Sequence, residues 1–126
     1  MAVIGVGIDV VAVSRVESLL ARHGDRAMQR LFTPNEQAYA RGMASPGLHL
    51  AARVAAKEAA YKALSGDELA RGIGWRDIEV ERLSDGRPIL RFHGKARERF
   101  KQLGAKQSHI SLTHSGGVAA AVVILE

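Results

Sequence analysis

Residues 48–64, LHLAARVAAKEAAYKAL, constrain the fold more than any other stretch of the chain. They contain no glycine or proline and are dominated by alanine, the strongest helix former, which predicts a helix from Leu48 to Leu64. Small apolar side chains around nearly the whole circumference suit a helix packed closely on several sides, hence a central one. Against that background its four Lys, Arg and Glu residues, Arg53, Lys57, Glu58 and Lys62, stand out. At 100° per residue Arg53 and Lys57 share one flank, and Glu58 and Lys62 the adjacent one. Two readings of the second pair stand side by side. One is an ion pair worth ~0.2–0.5 kcal/mol on a solvated face. The other is a carboxylate for a hard cation set beside cations for phosphate oxygens.

The rest of the chain must supply what packs around this helix. Residues 2–11 alternate, with Ile4, Val6, Ile8 and Val10 on one face, and predict a strand whose apolar face lies in the core. The opposite face carries Gly5, Gly7 and Asp9, leaving room for another backbone or a ligand to approach. Ser14 and Glu17 have capping-box spacing, so a helix is expected from Arg15 to about His23, stopping at Gly24, with a shorter one over 26–31. Thr33-Pro34-Asn35-Glu36 is a complete helix start, with Glu36 in the capping position. Ser45-Pro46-Gly47 and Ser65 to Gly74 read as loops. Residues 76–83 and 87–93 form a hairpin through Ser84-Asp85-Gly86, 94–103 a polar helix, and 108–113 with 118–125 a second hairpin around Ser115-Gly116-Gly117. This order, without repeats or linkers, predicts one α+β domain spanning 1–126, its mainly antiparallel sheet packed against the long helix.

Composition narrows the function. The chain of 126 residues is 47% hydrophobic and 25% charged, which excludes a disordered tail. Without cysteine there is no thiol nucleophile, iron–sulfur cluster or thiolate zinc site, and cytoplasm is the expected compartment. The apolar opening contains Asp9 and has no basic leader, so it reads as a strand rather than a signal peptide, and no later run has the ~20 apolar residues of a membrane helix. A net charge of +5, with 13 of the 18 basic residues arginine, favours an anionic partner. Aromatics are only 5% and do not alternate with the basic residues, which argues against nucleic acid.

Asp9 is the sharpest single signal. A carboxylate within an apolar strand costs several kcal/mol unless something offsets it. It either bonds the amides of the following helix or serves a site. His114, before a Ser-Gly-Gly turn, is at a rim where a side chain can face a cleft, or is simply a turn residue. His109, of opposite parity, reads as a satisfied structural histidine. Ser115-Gly116-Gly117 could cradle a phosphate or only turn the chain. Arg15, Arg22, Arg26 and Arg30 recur at helical offsets, interrupted by Gly24, and form either a solvated basic surface or a docking site for an acidic partner with Leu19 as its apolar contact.

Taken together, GVGIDVVAVSRVE, LFTPNE, AARVAAKEAAYKAL and HISLTHS, in this order and spacing, resemble the short bacterial 4'-phosphopantetheinyl transferases over essentially the whole chain. The resemblance implies that family's fold and an enzyme moving the phosphopantetheine arm of coenzyme A onto a serine of apo acyl carrier protein, releasing adenosine 3',5'-bisphosphate. It also implies Mg²⁺, a role in fatty acid biosynthesis, and a homotrimer with active sites at subunit interfaces. Carried over by motif, Asp9 and Glu58 are the expected metal ligands. Glu58, Lys62 and His114 are the expected catalytic set, Lys62 and His114 also binding coenzyme A with Arg53 and Lys57. Arg15, Leu19, Arg22 and Arg26 are the expected carrier-protein docking residues. The chain departs from the family at Val54, where an aromatic is usual, at Ser65-Gly66-Asp67 in place of Gly-Thr-Gly, and at Ser115, where some relatives carry an acid. Another phosphate-transferring enzyme would use the same groups without carrier protein, and a non-enzymatic basic binding module would have no use for Asp9 and Glu58.

Overall fold

The computed structural model describes residues 2–126. Its elements are β1 (Gly5–Ala12), α1 (Val13–Leu31), α2 (Pro34–Arg41), α3 (Pro46–Leu64), α4 (Glu68–Arg71), a 3-10 turn (Trp75–Asp77), β2 (Ile78–Arg82), β3 (Pro88–Phe92), α5 (Gly94–Gln102), β4 (Ser108–Ser115) and β5 (Val118–Leu125). The strands form a three-stranded sheet in the order β1-β5-β4 and a separate pair β2-β3, antiparallel throughout. This is the α+β architecture the element order predicts. Among the described residues no helix is long and apolar enough to cross a membrane.

The alanine-rich helix is the axis of the fold. Ala55, Ala56, Ala59 and Ala60 are fully buried, and α3 lies across the inner face of β1 and β5. It begins two residues earlier than its apolar run, because Pro46 needs no amide partner at the first helical position and Gly47 follows it into the first turn. Val54 is buried in the core.

The two faces of β1 are the reverse of the expected arrangement. Val6, Ile8 and Val10 are 58%, 62% and 60% exposed, whereas Gly7 and Val11 are buried toward α3. The reason is the closeness of the helix. A Cβ on Gly5 would lie 2.3 Å from the carbonyl oxygen of Ala63, and one on Gly7 only 1.7 Å from that of Ala59. Only the glycine face can accept a helix backbone at that distance, so it turns inward and leaves the valine and isoleucine face outside.

Other differences are local. α1 starts at Val13 with Ala12 before it, and the Ser14–Glu17 capping box does not form. The Val13 amide instead donates to the Gly117 carbonyl at 2.9 Å, so β-hairpin backbone does the capping. The break at Gly24 is present, with φ 53° and ψ −132°, and helix resumes to Leu31. The 65–74 segment contains the short α4, capped by Asp67 on the Ala70 amide. The Thr33–Glu36 capping box forms as expected, with Pro34 in the first turn.

Candidate active site

Asp9 comes from the inner face of β1 and pairs with Ala121 of β5, so α3 passes directly over it. Lys62, one turn beyond Glu58, donates to Asp9 Oδ1 at 3.1 Å and to the Ile8 carbonyl at 2.9 Å. Among the described residues, Asp9 Oδ2 is buried without a hydrogen-bond partner. Glu58 is half-buried beside it. Burial first, then the approach to the Asp9 carboxyl, pushes Glu58 up to about 7, against the opposing pull of Arg15 and Lys62. Asp9 therefore serves no helix cap; Lys62 bonds its Oδ1, and Glu58 stands beside it.

Two carboxylates with an unpartnered buried oxygen fit a divalent cation. Among the described residues no third histidine, cysteine or acid completes a cluster. A hard cation held by two carboxylates alone keeps several water or phosphate ligands. Beside the pair lies a cavity of about 410 Å³, walled by Glu58, Tyr61 and Lys62 on α3 and by Ile73, Trp75 and Ile78 opposite, with Arg71 on its lining. A carboxylate pair, two cations and an apolar wall together can bind and align a phosphate ester that carries an apolar or ring-bearing tail.

His114 is not in this cluster. On β4 it pairs with Ala119 of β5, two strands from Asp9 and two residues along, roughly 12 Å by strand spacing. It lies instead near His49, whose pKa is lowered by burial and by the charges of Arg53, Arg82 and His114. Arg53 and Arg82 stack over the Tyr39 ring, at 4.2 and 5.9 Å from its centroid, and each has a buried Nε without a partner. These groups form a second cationic cluster at the opposite end of α3. Arg53 thus lies on the His114 side of the fold and away from Lys62; it is 1% exposed, donating to the His49 carbonyl at 3.3 Å. The spacing of His49 and Arg53 on one helix is the signal that could have paired them. Nothing in the sequence brings Tyr39 and Arg82 to them.

Lys57 corrects the expectation most clearly. It is 2% exposed, and its ammonium meets Glu36 Oε1 at 2.8 Å, the Trp75 carbonyl at 2.8 Å and the Ile78 carbonyl. With every N–H committed, it has none left for a coenzyme A phosphate. Arg99, unnoticed in the sequence, closes the C-terminus of α3, donating to the Leu64 carbonyl at 2.7 Å and to that of Ser65 at 3.0 Å. Arg15, Arg22 and Arg26 are exposed on α1, while Leu19 is half-buried against the core. Arg15 bears electrostatically on Glu58. His109 meets Glu126 at 2.8 Å, and Gly116 and Gly117 take the positive φ of a tight turn.

A fold with this acid pair at the edge of a 410 Å³ cavity defines a class. The sequence model of the 4'-phosphopantetheinyl transferase superfamily matches residues 5–123, and the chain belongs to that superfamily and is a transferase. Within it, the chain is similar to a holo-[acyl-carrier-protein] synthase of Koribacter versatilis, 44% identical over 124 residues and 98% of each chain. The solved acyl carrier protein synthase of Mycobacterium tuberculosis is 40% identical, covers 99% of this chain and 98% of its own, and superposes with a TM-score of 0.73. That of Bacillus anthracis, described in complex with CoA (3',5'-ADP), is 33% identical over 98% and 96% of the two chains, with a TM-score of 0.76.

Proposed function

We propose that this enzyme transfers the 4'-phosphopantetheine arm of coenzyme A to a serine of apo acyl carrier protein, with Mg²⁺ as cofactor and adenosine 3',5'-bisphosphate as second product. One observation carries the reading: the buried, unpartnered Oδ2 of Asp9 beside Glu58, with Lys62 next to them at the edge of a 410 Å³ cavity. Similarity to synthases solved with coenzyme A supports the substrate. The serine oxygen would bond to the phosphorus bearing the pantetheine, and the bond from that phosphorus to the bridging oxygen would break. Lys62 and Arg71 face the cavity as partners for phosphate oxygens. Asp9 and Glu58 would hold Mg²⁺, which supplies neutralisation of the pyrophosphate charge. For the serine proton, Glu58 is the carboxylate that lines the cavity, directly or through a water between them.

The enzyme we propose is a homotrimer in which the cluster of His114 and Arg53 in one subunit meets Asp9 and Glu58 of another. β1 exposes Val6, Ile8 and Val10, with half-buried Val122 and Ile124 beside them on β5. A continuous apolar strip on this scale is characteristic of an interface. A second copy on that face would lie against the strand carrying Asp9, allowing the cationic cluster of one subunit to complete the acid pair of another. Exposed Arg15, Arg22 and Arg26 suit docking of an acidic carrier protein. Coenzyme A as substrate and a carrier protein as acceptor suit a cytoplasmic enzyme of fatty acid biosynthesis.

The test is intact-mass measurement of apo acyl carrier protein incubated with the enzyme, coenzyme A and Mg²⁺, with and without chelator. A chelator-sensitive gain of about 340 Da, the transferred arm, is expected. No gain with several carrier proteins would overturn the reading.

A further inference from the structure

The buried ion pair Lys57–Glu36 lies outside the chemistry described above, yet it is anchored to the site. Lys57 directly precedes Glu58 on α3, and its stem lines the same cavity. Its ammonium binds the carbonyls of Trp75 and Ile78, the first residue of the 3-10 turn and the first residue of β2. Trp75 and Ile78 are the wall that faces Glu58 and Lys62 across the cavity.

The wall is itself stiff. Asp77 accepts from the Gly74 amide at 2.9 Å, and the His93 amide donates to the Asp77 carbonyl at 2.7 Å, tying the turn to β3. Among the described residues β2 pairs only with β3, so its other edge presents backbone groups outside the sheet. The ion pair supplies their partners: Lys57 takes the Ile78 carbonyl, and Glu36 Oε2 accepts from the Val80 amide at 2.8 Å. The two charges thus attach a rigid wall to α3 at one separation.

We propose that Lys57 is a positioning residue that sets the width of the coenzyme A cleft, holding the wall at Trp75 and Ile78 at a fixed distance from Glu58 and Lys62. This rests on the reading of the cavity as the coenzyme A site. A ligand gripped by Lys62 on one side and by apolar contact with Trp75 on the other is sensitive to that distance, since sub-ångström misplacement weakens both grips together. Loss of the strut therefore acts first on coenzyme A; α1, which touches the 3-10 turn, carries the proposed carrier-protein docking residues Arg15, Arg22 and Arg26 on its solvent-exposed side.

Trp75 is the sole tryptophan of the chain and sits on the wall, so its emission reports coenzyme A directly. Coenzyme A would be titrated into the wild type, Lys57→Met, and Lys57→Met combined with Glu36→Gln, which strands no buried charge. KM would be measured for both substrates. Leu31→Ala, a buried site on α1, controls for lost stability alone. Wild-type binding and turnover test the coenzyme A reading itself, before any variant is compared. The expected result is an affinity and KM for coenzyme A about tenfold weaker in the folded Lys57 variants, with the carrier-protein KM within about twofold and no change in coenzyme A affinity for Leu31→Ala. Wild-type coenzyme A affinity in either folded Lys57 variant would overturn the proposal. So would failure of both to fold, which would assign Lys57 to stability alone.

Discussion

Gly7 and the carbonyl of Ala59 are in such close contact that a methyl group on Gly7 would lie 1.7 Å from the carbonyl oxygen. That contact fixes how near α3 comes to β1, and through it how near Glu58 and Lys62 come to Asp9, two residues along the same strand. Gly7→Ala is expected to destabilise the fold by about 3 kcal/mol or more, because the obstacle is backbone and cannot rotate away. Urea unfolding measures it, and a variant as stable as the wild type would show that α3 shifts freely.

Asp9→Ala and Glu58→Ala should each lower transfer at least a hundredfold, the scale on which loss of a preorganised charge partner acts. Both should remain folded, since Asp9 contributes no backbone cap and Glu58 is only half-buried. The readout is turnover in Mg²⁺ together with circular dichroism. Normal turnover by either variant would remove it from the metal site.

The acid pair also predicts a pH dependence. Unfolded, Glu58 titrates near its ordinary 4.5; folded and without a cation, it holds its proton to about 7. Its contribution to stability is therefore full below 4.5 and is lost as pH rises through 7. Between about pH 5 and about pH 7.5 the melting temperature of the metal-free protein should carry this downward component, and added Mg²⁺ should stabilise more at the higher pH, where both carboxylates are ionised. Thermal melts with Mg²⁺ or chelator measure it. Greater stabilisation by Mg²⁺ at the acidic end would contradict the pairing.

Charge reversal on α1 should separate the two substrates. Arg15 acts on Glu58 as well as facing solvent, so Arg22→Glu is the cleaner variant. Its KM for carrier protein should rise roughly threefold to tenfold, with little change for coenzyme A and a smaller effect at high salt. Equal changes for both substrates would argue against α1 as the docking face.

Ile8→Asp places a charge in the middle of the exposed apolar strip of β1 without touching the core. If that strip joins subunits, light scattering should give the mass of a trimer for the wild type and of one chain for the variant, and activity should fall with it. A variant that keeps the wild-type mass would place the interface elsewhere.

Much of this was legible from local chemistry. The alanine run requires a helix, Thr33-Pro34-Asn35-Glu36 starts one, Gly24 interrupts another, and Asp9 demands something to offset its carboxylate. These follow from the backbone preferences and desolvation of a few neighbouring residues, which any sequence carries in full. What tertiary structure decided depends on how closely elements approach. Alternation showed that β1 has two faces but not which is buried, because that is set by the depth of contact between Gly7 and Ala59 rather than by hydrophobicity. Lys57 and Glu58 are adjacent and alike in the sequence as charged residues of one helix. One points into the core, onto the edge of β2, and the other toward Asp9, since only the packed fold determines where a carbonyl or a carboxylate waits for each.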